Sequence, residues 1–369
     1  MVKLYDARTK VHQHPTLVVA IPVCNEAQHL GRCLEALSSQ NSVRLDHILL
    51  FLNNCTDASA SIANHFPIHK TTRLHVIEQD LAASFANAGY ARRIAMDFAY
   101  DLVGDSGILM TTDADSEVDP NWVAATLKVM AGGVNVVAGW VELDPIDWGQ
   151  LPLRLHEDDA RECLYDGLCD EINAWLDPDP WDPWPRHTQN SGSSIALTAE
   201  VYRRCGGVPA VASGEDRALI SALYAVDARI RHAPEVRVSV SGRTVGRAVG
   251  GMAETIHRRL ATPDLYLDER LEPAATCTSR ALARAELRRL FDGTEVDVGP
   301  LAHRLKIAPQ IILDQLSCKH FGTAWKAVEA LTPQLCRRPV AVCDLPGEMA
   351  SARKILRASY MRTGIEEIL

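Results

Sequence analysis

The chain lacks any apolar run near the about 18 residues that a membrane-crossing helix needs, so no transmembrane segment is expected in its 369 residues. Its opening, Met1-Val2-Lys3-Leu4-Tyr5-Asp6-Ala7-Arg8, lacks the apolar core of a secretory leader. None of its ten cysteines (24, 33, 55, 163, 169, 205, 277, 318, 336 and 343) forms a C-x-x-C pair, which argues against a zinc centre. Several fall at apolar positions of expected helices, so buried thiols in a reduced, cytoplasmic protein are the expectation. There is no excess of basic residues either. A net charge of −9 excludes a broad surface for nucleic acid or anionic lipid, while leaving room for a local basic pocket. Internal repeats and low-complexity tails are absent too. What remains, 47% hydrophobic and 23% charged, is the balance of an ordinary globular protein, long enough for more than one folded unit.

Residues 15–140 alternate strand and helix signals. The run 17–23 is continuously apolar, as in a strand buried on both faces, and Asn25 is placed to cap a helix carrying Leu30, Cys33, Leu34 and Leu37. Strands are expected over 47–52, 74–77 and 108–111, and Ala91, Ile94, Ala95, Phe98 and Leu102 mark an amphipathic helix between the last two. Such an order predicts right-handed crossovers and a mainly parallel sheet, whose ligands bind beyond the carboxyl ends of the strands. The polar turns at 24–26, 53–57 and 112–116 all lie at such ends, so they should converge. Another strand is expected over 134–143. Residues 144–190 are dominated by Asp, Pro and Trp, a composition that excludes a regular helix or a central strand. Ordered α/β material returns over 191–240, and 241–251 is rich in glycine and arginine. From about 268 onward the chain reads as wholly helical.

The strongest chemical signal is Thr112-Asp113-Ala114-Asp115-Ser116. Asp113 and Asp115, one residue apart at a strand end, project to the same side and offer oxygen ligands for Mg²⁺ or Mn²⁺, with positions left for substrate phosphates. Asp119 and Pro120 then read as the cap and first residue of a helix carrying Trp122, Val123 and Thr126. A strand, an acidic turn and a capped helix together suggest an enzyme that handles a diphosphate.

Four segments resemble the family 2 glycosyltransferases of the GT-A fold: Val19-Ala20-Ile21-Pro22-Val23-Cys24-Asn25-Glu26, Asn53-Asn54-Cys55-Thr56-Asp57, the D-x-D turn, and Ser213-Gly214-Glu215-Asp216 opening a helix. The likeness spans about residues 15–250. It implies a Rossmann-like GT-A domain over 1–260, with a nucleotide-binding half at 15–140 and an acceptor half at 141–260, followed by a helical region at 261–369. It implies a metal-dependent, inverting transfer of a single sugar from a UDP- or GDP-linked donor to a small-molecule or lipid-linked hydroxyl, and no nucleic-acid partner. The chain departs from the family in having Asn53-Asn54 where paired aspartates are usual. It also lacks the Q-x-x-R-W signature of the processive polymer-forming members.

On this resemblance Asp115 is the metal ligand, with Asp113 on metal or ribose, and Asp216 is the general base with Glu215 as runner-up. Pro22, Asn25, Glu26, Asn54, Asp57 and Ala114 line the nucleotide, although capping explains Asn25 and Asp57 as well. Arg92 and its neighbour Arg93 reach either diphosphate or a surface carboxylate. Ser193, within Asn190-Ser191-Gly192-Ser193-Ser194, cradles sugar or phosphate or simply forms a tight turn. Arg243 and Arg247 belong to a glycine-rich lid that closes on phosphate. His232 and His257 are the candidates for a further metal ligand, and Trp175, Trp181 and Trp184 for a sugar platform or a loop anchor. The helical C-terminus is the candidate surface for a homo-oligomer. A nucleotidyltransferase is the competing enzyme class. Its glycine-rich basic loop is missing at Cys24-Asn25-Glu26-Ala27. A non-catalytic GT-A-like binding protein is the other alternative, disfavoured by retention of both acidic motifs.

Overall fold

Strand β1 (Leu17–Val23) and strand β2 (His47–Asn53) are buried almost throughout, as runs enclosed on both sheet faces must be. They belong to a computed structural model that describes residues 15–246, 250–295 and 297–363. Helix α1 (Leu30–Ser38) joins them and buries Leu30, Cys33, Leu34 and Leu37 on one stripe. The chain continues through α2 (Ser59–His65), β3 (Arg73–Gln79), α3 (Ala88–Val103) and β4 (Ile108–Thr111). Asn87 caps α3, its side-chain oxygen accepting from Tyr90 N at 3.0 Å. Then come β5 (Ser116–Val118), α4 (Trp122–Met130), β6 (Val136–Leu143) and the short α5 (Pro145–Gly149). Helix α6 (Leu153–Leu176), β7 (Ile195–Thr198), α7 (Ala199–Cys205), α8 (Glu215–Ala225), β8 (Ile230–Val240) and α9 (Met252–Ala261) complete the α/β part.

The eight strands form one sheet in the order β3-β2-β1-β4-β7-β6-β8-β5. β3, β2, β1 and β4 are parallel neighbours. β7 runs against both β4 and β6, and β5 against β8, while β6 and β8 are parallel. The sheet is therefore mixed but mainly parallel, as the strand–helix alternation predicted, with β1, β2, β3, β4, β6 and β8 sharing one direction. The reversed strands are β7 and the three-residue β5. Alternate residues of β1 face opposite layers: Leu17, Val19, Ile21 and Val23 meet α1 and α4, and Val18 and Ala20 meet α3 and α7.

Two sequence expectations need correction here. Residues 144–190 hold the longest helix among the described residues, α6, of 24 residues. Its prolines flank it: Pro152 stands at the N-cap, Pro178 and Pro180 follow the end, and none interrupts 153–176. Proline density marked the boundaries of a helix rather than its absence. Helix α4 is capped at Asn121, not Asp119, whose carboxylate instead accepts from Asn121 N at 2.7 Å.

The remaining elements are α10 (Ala274–Phe291), α11 (Gly299–Leu305), α12 (Pro309–Leu316), α13 (Phe321–Ala330) and α14 (Leu345–Thr363). Tyr165, Cys169 and Ile172 of α6 pack in one apolar cluster with Ala274 and Cys277 of α10 and with Leu345, Ala352 and Leu356 of α14. The start of α13 lies against the end of α8, so closely that a Cβ on Gly322 would collide with the Tyr224 carbonyl. Asp227 clasps the junction, accepting from Phe321 N at 2.9 Å and Gly322 N at 2.8 Å.

Candidate active site

The polar turns expected to converge do meet, at the carboxyl ends of β1, β2 and β4. The first two brace each other. Asn25 has a left-handed φ of 55°, a conformation that asparagine tolerates better than most residues. Its side-chain oxygen accepts from Thr56 N at 2.7 Å and Asp57 N at 3.2 Å. It does not cap α1, whose N-cap is His29 without a side-chain bond. Asp57 returns the brace, accepting from Ala27 N at 3.0 Å and from Ser59 N at 2.9 Å. Asn54, also left-handed with φ 54°, spends both ends of its amide on the backbone of Leu81, at 3.0 and 3.1 Å. Pro22 sits in β1 opposite Phe51 of β2. β4 pairs with β1 only as far as Ala20, so the missing proline N–H leaves no ladder bond unmade.

At the centre lies Arg92 of α3, buried with its side chain 5% exposed. Its Nε donates to Glu215 Oε1 at 2.9 Å, one terminal nitrogen to Thr111 Oγ1 at 2.7 Å and to the Gly192 carbonyl at 3.1 Å, and the other to Asp113 Oδ1 at 2.5 Å. Ser193 Oγ donates to the other Asp113 oxygen. Burial pushes the Asp113 carboxyl up, but Arg92, Ser193 and Arg243 outweigh it and hold it below the ordinary range. Arg93, by contrast, points outward and donates to the Val208 carbonyl at 3.0 Å.

Ala114 is buried in the turn, and Asp115 beyond it is far less committed than Asp113. Antiparallel pairing of β5 with β8 sets Ser116 opposite Val240, which carries the chain after β8 back over the acidic turn. Arg243 there forks onto Glu26 at 2.6 and 2.7 Å and reaches Asp115 Oδ2 at 2.9 Å. Burial, then the charge of Asp113, pushes the Asp115 carboxyl up to about 7 despite Arg243. Glu26 is itself buried, with its backbone N–H on Ser59 Oγ at 2.8 Å. Arg247 lies outside the described residues.

The Glu215–Asp216 pair opens α8. Glu215 is buried and tied to Arg92. Asp216 accepts from Gly192 N at 3.1 Å and Arg217 N at 2.7 Å, and burial followed by the charge of Glu215 raises its pKa. Gly192 therefore links the two acidic motifs, with its N–H on Asp216 and its carbonyl on Arg92. A Cβ there would lie 2.6 Å from the Arg92 guanidinium, so any side chain would push that group off its partners.

Four carboxylates (Glu26, Asp113, Asp115 and Glu215) share two guanidiniums, those of Arg92 and Arg243, and Asp216 joins them through Gly192. Among the described residues no three His, Cys, Asp or Glu side chains converge as a ready metal cage; the half-committed Asp115 is the carboxylate left to meet a divalent cation whose other ligands come from substrate. His232 is not available to it. The ring is fully buried, with Nδ1 on Asp182 Oδ2 at 2.8 Å and Nε2 on the Asn190 amide at 3.1 Å. His257 lies exposed on α9. Of the tryptophans, Trp175 packs edge-on against Tyr360, and Trp181 lies under Arg229 with 4.7 Å from guanidinium carbon to ring centre. Asp182 was invisible in the sequence, because nothing in a proline-rich run marks one carboxylate as buried.

A mixed α/β sheet with paired carboxylates beyond its parallel strand ends defines a nucleotide-handling class of domain. Comparison narrows it: residues 18–196 match the model of glycosyl transferase family 2. Glycosyltransferase AglE of Haloferax volcanii is 28% identical over 130 residues, which are 35% of this chain; the chain spans 40% of that relative's length. Among solved structures, S. aureus TarS 1–349 in complex with UDP-GlcNAc aligns with TM-score 0.48 and 15% identity over 95% of this chain and 92% of that one. The mannosyltransferase PcManGT of Pyrobaculum calidifontis, in complex with GDP-Man and Mn²⁺, aligns with TM-score 0.45 and 15% identity over 98% and 87%. Among the described residues no helix is long and apolar enough to cross a membrane.

Proposed function

We propose that the protein transfers one sugar from a nucleoside-diphosphate donor to a hydroxyl acceptor, with inversion at the anomeric carbon. One observation carries this reading. Through Arg92 and Gly192, the turn bearing Asp113 and Asp115 is bonded to the helix end bearing Asp216, within and beside the segment that matches glycosyl transferase family 2. Asp115 would hold a Mn²⁺ or Mg²⁺ ion, and Asp113, fixed by Arg92 and Ser193, would support that site through its charge. When bound, the ion supplies charge neutralisation to the departing diphosphate.

The chain's own groups divide the remaining work. Glu215 is spent on Arg92, which leaves Asp216 to face an acceptor. Its raised pKa makes it a better proton acceptor than an ordinary aspartate. As the acceptor oxygen bonds to the anomeric carbon, Asp216 takes the hydroxyl proton, and the bond to the diphosphate oxygen breaks with both electrons leaving on that oxygen. The braced loops at 25–27 and 54–57 offer the nucleoside a rigid floor, and Arg243 a cation that donor binding can draw from Glu26 onto phosphate. The acceptor, small or lipid-linked, meets the donor on the Asp216 side.

The test is Asp216→Asn. Calorimetric titration should show donor affinity within about two-fold of wild type, while turnover falls by the about 10²–10⁴-fold that a general base contributes. Unchanged turnover would remove Asp216 from this role. A thermal-shift screen of UDP- and GDP-sugars with and without Mn²⁺ would identify the donor, and stabilisation without metal would overturn metal dependence.

A further inference from the structure

Away from the carboxylate cluster lies a second polar network that the proposed chemistry does not use. Asp182, with its side chain 2% exposed, stands in the proline-rich loop after α6 and reaches into β8. Its carboxylate accepts from His232 N at 2.9 Å, His232 Nδ1 at 2.8 Å, Arg186 at 3.1 Å and Arg231 at 3.3 Å. Burial opposes its ionisation, but His232 and Arg186 hold its pKa below the ordinary range. An ionised carboxylate only accepts, so His232 Nδ1 carries a proton and the ring plane is fixed. His187 packs edge-on against the same ring, with 5.5 Å between centres.

The far edge of that ring holds Asn190, whose amide lies 3.1 Å from Nε2; with Nδ1 carrying the proton, Nε2 accepts, and the Asn190 amide presents its N–H to it. Among the described residues the half-buried Asn190 amide has no other partner, so its second end is unspent. Asn190 leads directly into Ser191, Gly192 and Ser193. Gly192 N bonds Asp216 and Ser193 Oγ bonds Asp113. A buried, multiply bonded carboxylate–histidine pair is an expensive way to hold one loop amide. Its cost is understandable where the amide must meet a ligand in one orientation.

We infer that Asn190 contacts a hydroxyl of the transferred sugar, and that His232 and Asp182 are positioning residues acting through it. This rests on the sugar-nucleotide reading above, so the experiment separates the two. The affinity of UDP-glucose and GDP-mannose is measured against that of UDP and GDP, with MnCl₂, by calorimetry on the full chain. The ratio of sugar nucleotide to nucleotide isolates the sugar contact. In Asn190→Ala the ratio should fall about three- to ten-fold, the range for one lost hydrogen bond, with nucleotide affinity within about two-fold. His232→Ala should follow it, and His232→Gln, which keeps a polar edge toward Asn190, should recover most of the ratio. An unchanged ratio in Asn190→Ala overturns the contact, and equal loss in His232→Ala and His232→Gln overturns the positioning role. Nitrogen-15 NMR of the histidine ring gives a readout independent of ligand: a proton must reside on Nδ1, and a ring protonated on Nε2 alone sinks the chain. Should no nucleotide bind the wild type, the donor reading fails and the NMR measurement still decides the Asp182–His232 link.

Discussion

Replacing Arg92 by methionine should unmake the centre of the site in a way that pH can partly undo. Arg92 is the shared counter-ion of Asp113 and Glu215, whose side chains are 31% and 8% exposed. Removing one member of a buried ion cluster costs about 3–5 kcal/mol, because the partners stay behind as uncompensated charge. Partial exposure of Asp113 places the loss near the lower end, about 3 kcal/mol. At about 2 °C per kcal/mol for a chain of this size, the melting temperature should drop by about 6 °C at pH 7. The sign of the pH dependence follows from Asp113. In the wild type its folded pKa is depressed, so its contribution is present above the unfolded value of about 3.9 and is lost as pH falls through the folded pKa. Without Arg92, burial dominates and the folded pKa rises above the unfolded value. The variant is then penalised at neutral pH and relieved as acidification protonates Asp113. Thermal melts of both proteins across pH 5 to 8 should converge toward the acid side. A loss below about 1 kcal/mol at pH 7, or a gap that stays constant with pH, would refute the assignment of Arg92 as the counter-ion.

Three further outcomes follow from the same geometry. Asp115→Asn should abolish the extra stabilisation that a nucleotide sugar gains from Mn²⁺, about 2.7 kcal/mol at a hundred-fold excess over Kd; retention of the metal effect in thermal shifts would place the ion elsewhere. Gly192→Ala drives a methyl to 2.6 Å from the Arg92 guanidinium, which should cost about 1–3 kcal/mol in chemical denaturation and depress turnover together with it; a neutral substitution would show that the loop yields freely. The raised pKa of Asp216 predicts that kcat/KM falls on the acid side at a pH above that of an ordinary aspartate, since the base must be ionised. That limb should vanish in the residual activity of Asp216→Asn, and its persistence would assign it to another group.

The convergence of the candidate site's turns was legible in sequence, because strand ends carry polar turns whose composition is distinctive. Asp113, Asp115 and the Glu215–Asp216 pair stood out by residue type and order, and the structure brings them together through Arg92 and Gly192. Their division of labour was not legible. Arg92 read as a residue near a helix start, yet its partners lie 19, 21, 100 and 123 positions away, and no local pattern encodes such bonds. Asn25 and Asn54 looked like a cap and a base contact. Their left-handed backbones turn both side chains back onto neighbouring loops, a choice that depends on tertiary spacing. In the fold, the long apolar strands and amphipathic helices were legible. The three-residue β5 was too short to show periodicity. Helix α6 has a polar, interrupted stripe because its apolar face meets helices a hundred residues downstream rather than the sheet.

That last packing changes what the C-terminal region is for. Helix α8 is a rod with Asp216 at one tip and, at the other, a clasp made by Asp227 and the first turn of α13. A protein shortened after α9 would bare the greasy flank of α6 and unfasten the far tip of that rod. The proposed proton acceptor would then swing on an unanchored lever, and turnover would be lost through mechanics with every carboxylate still in place.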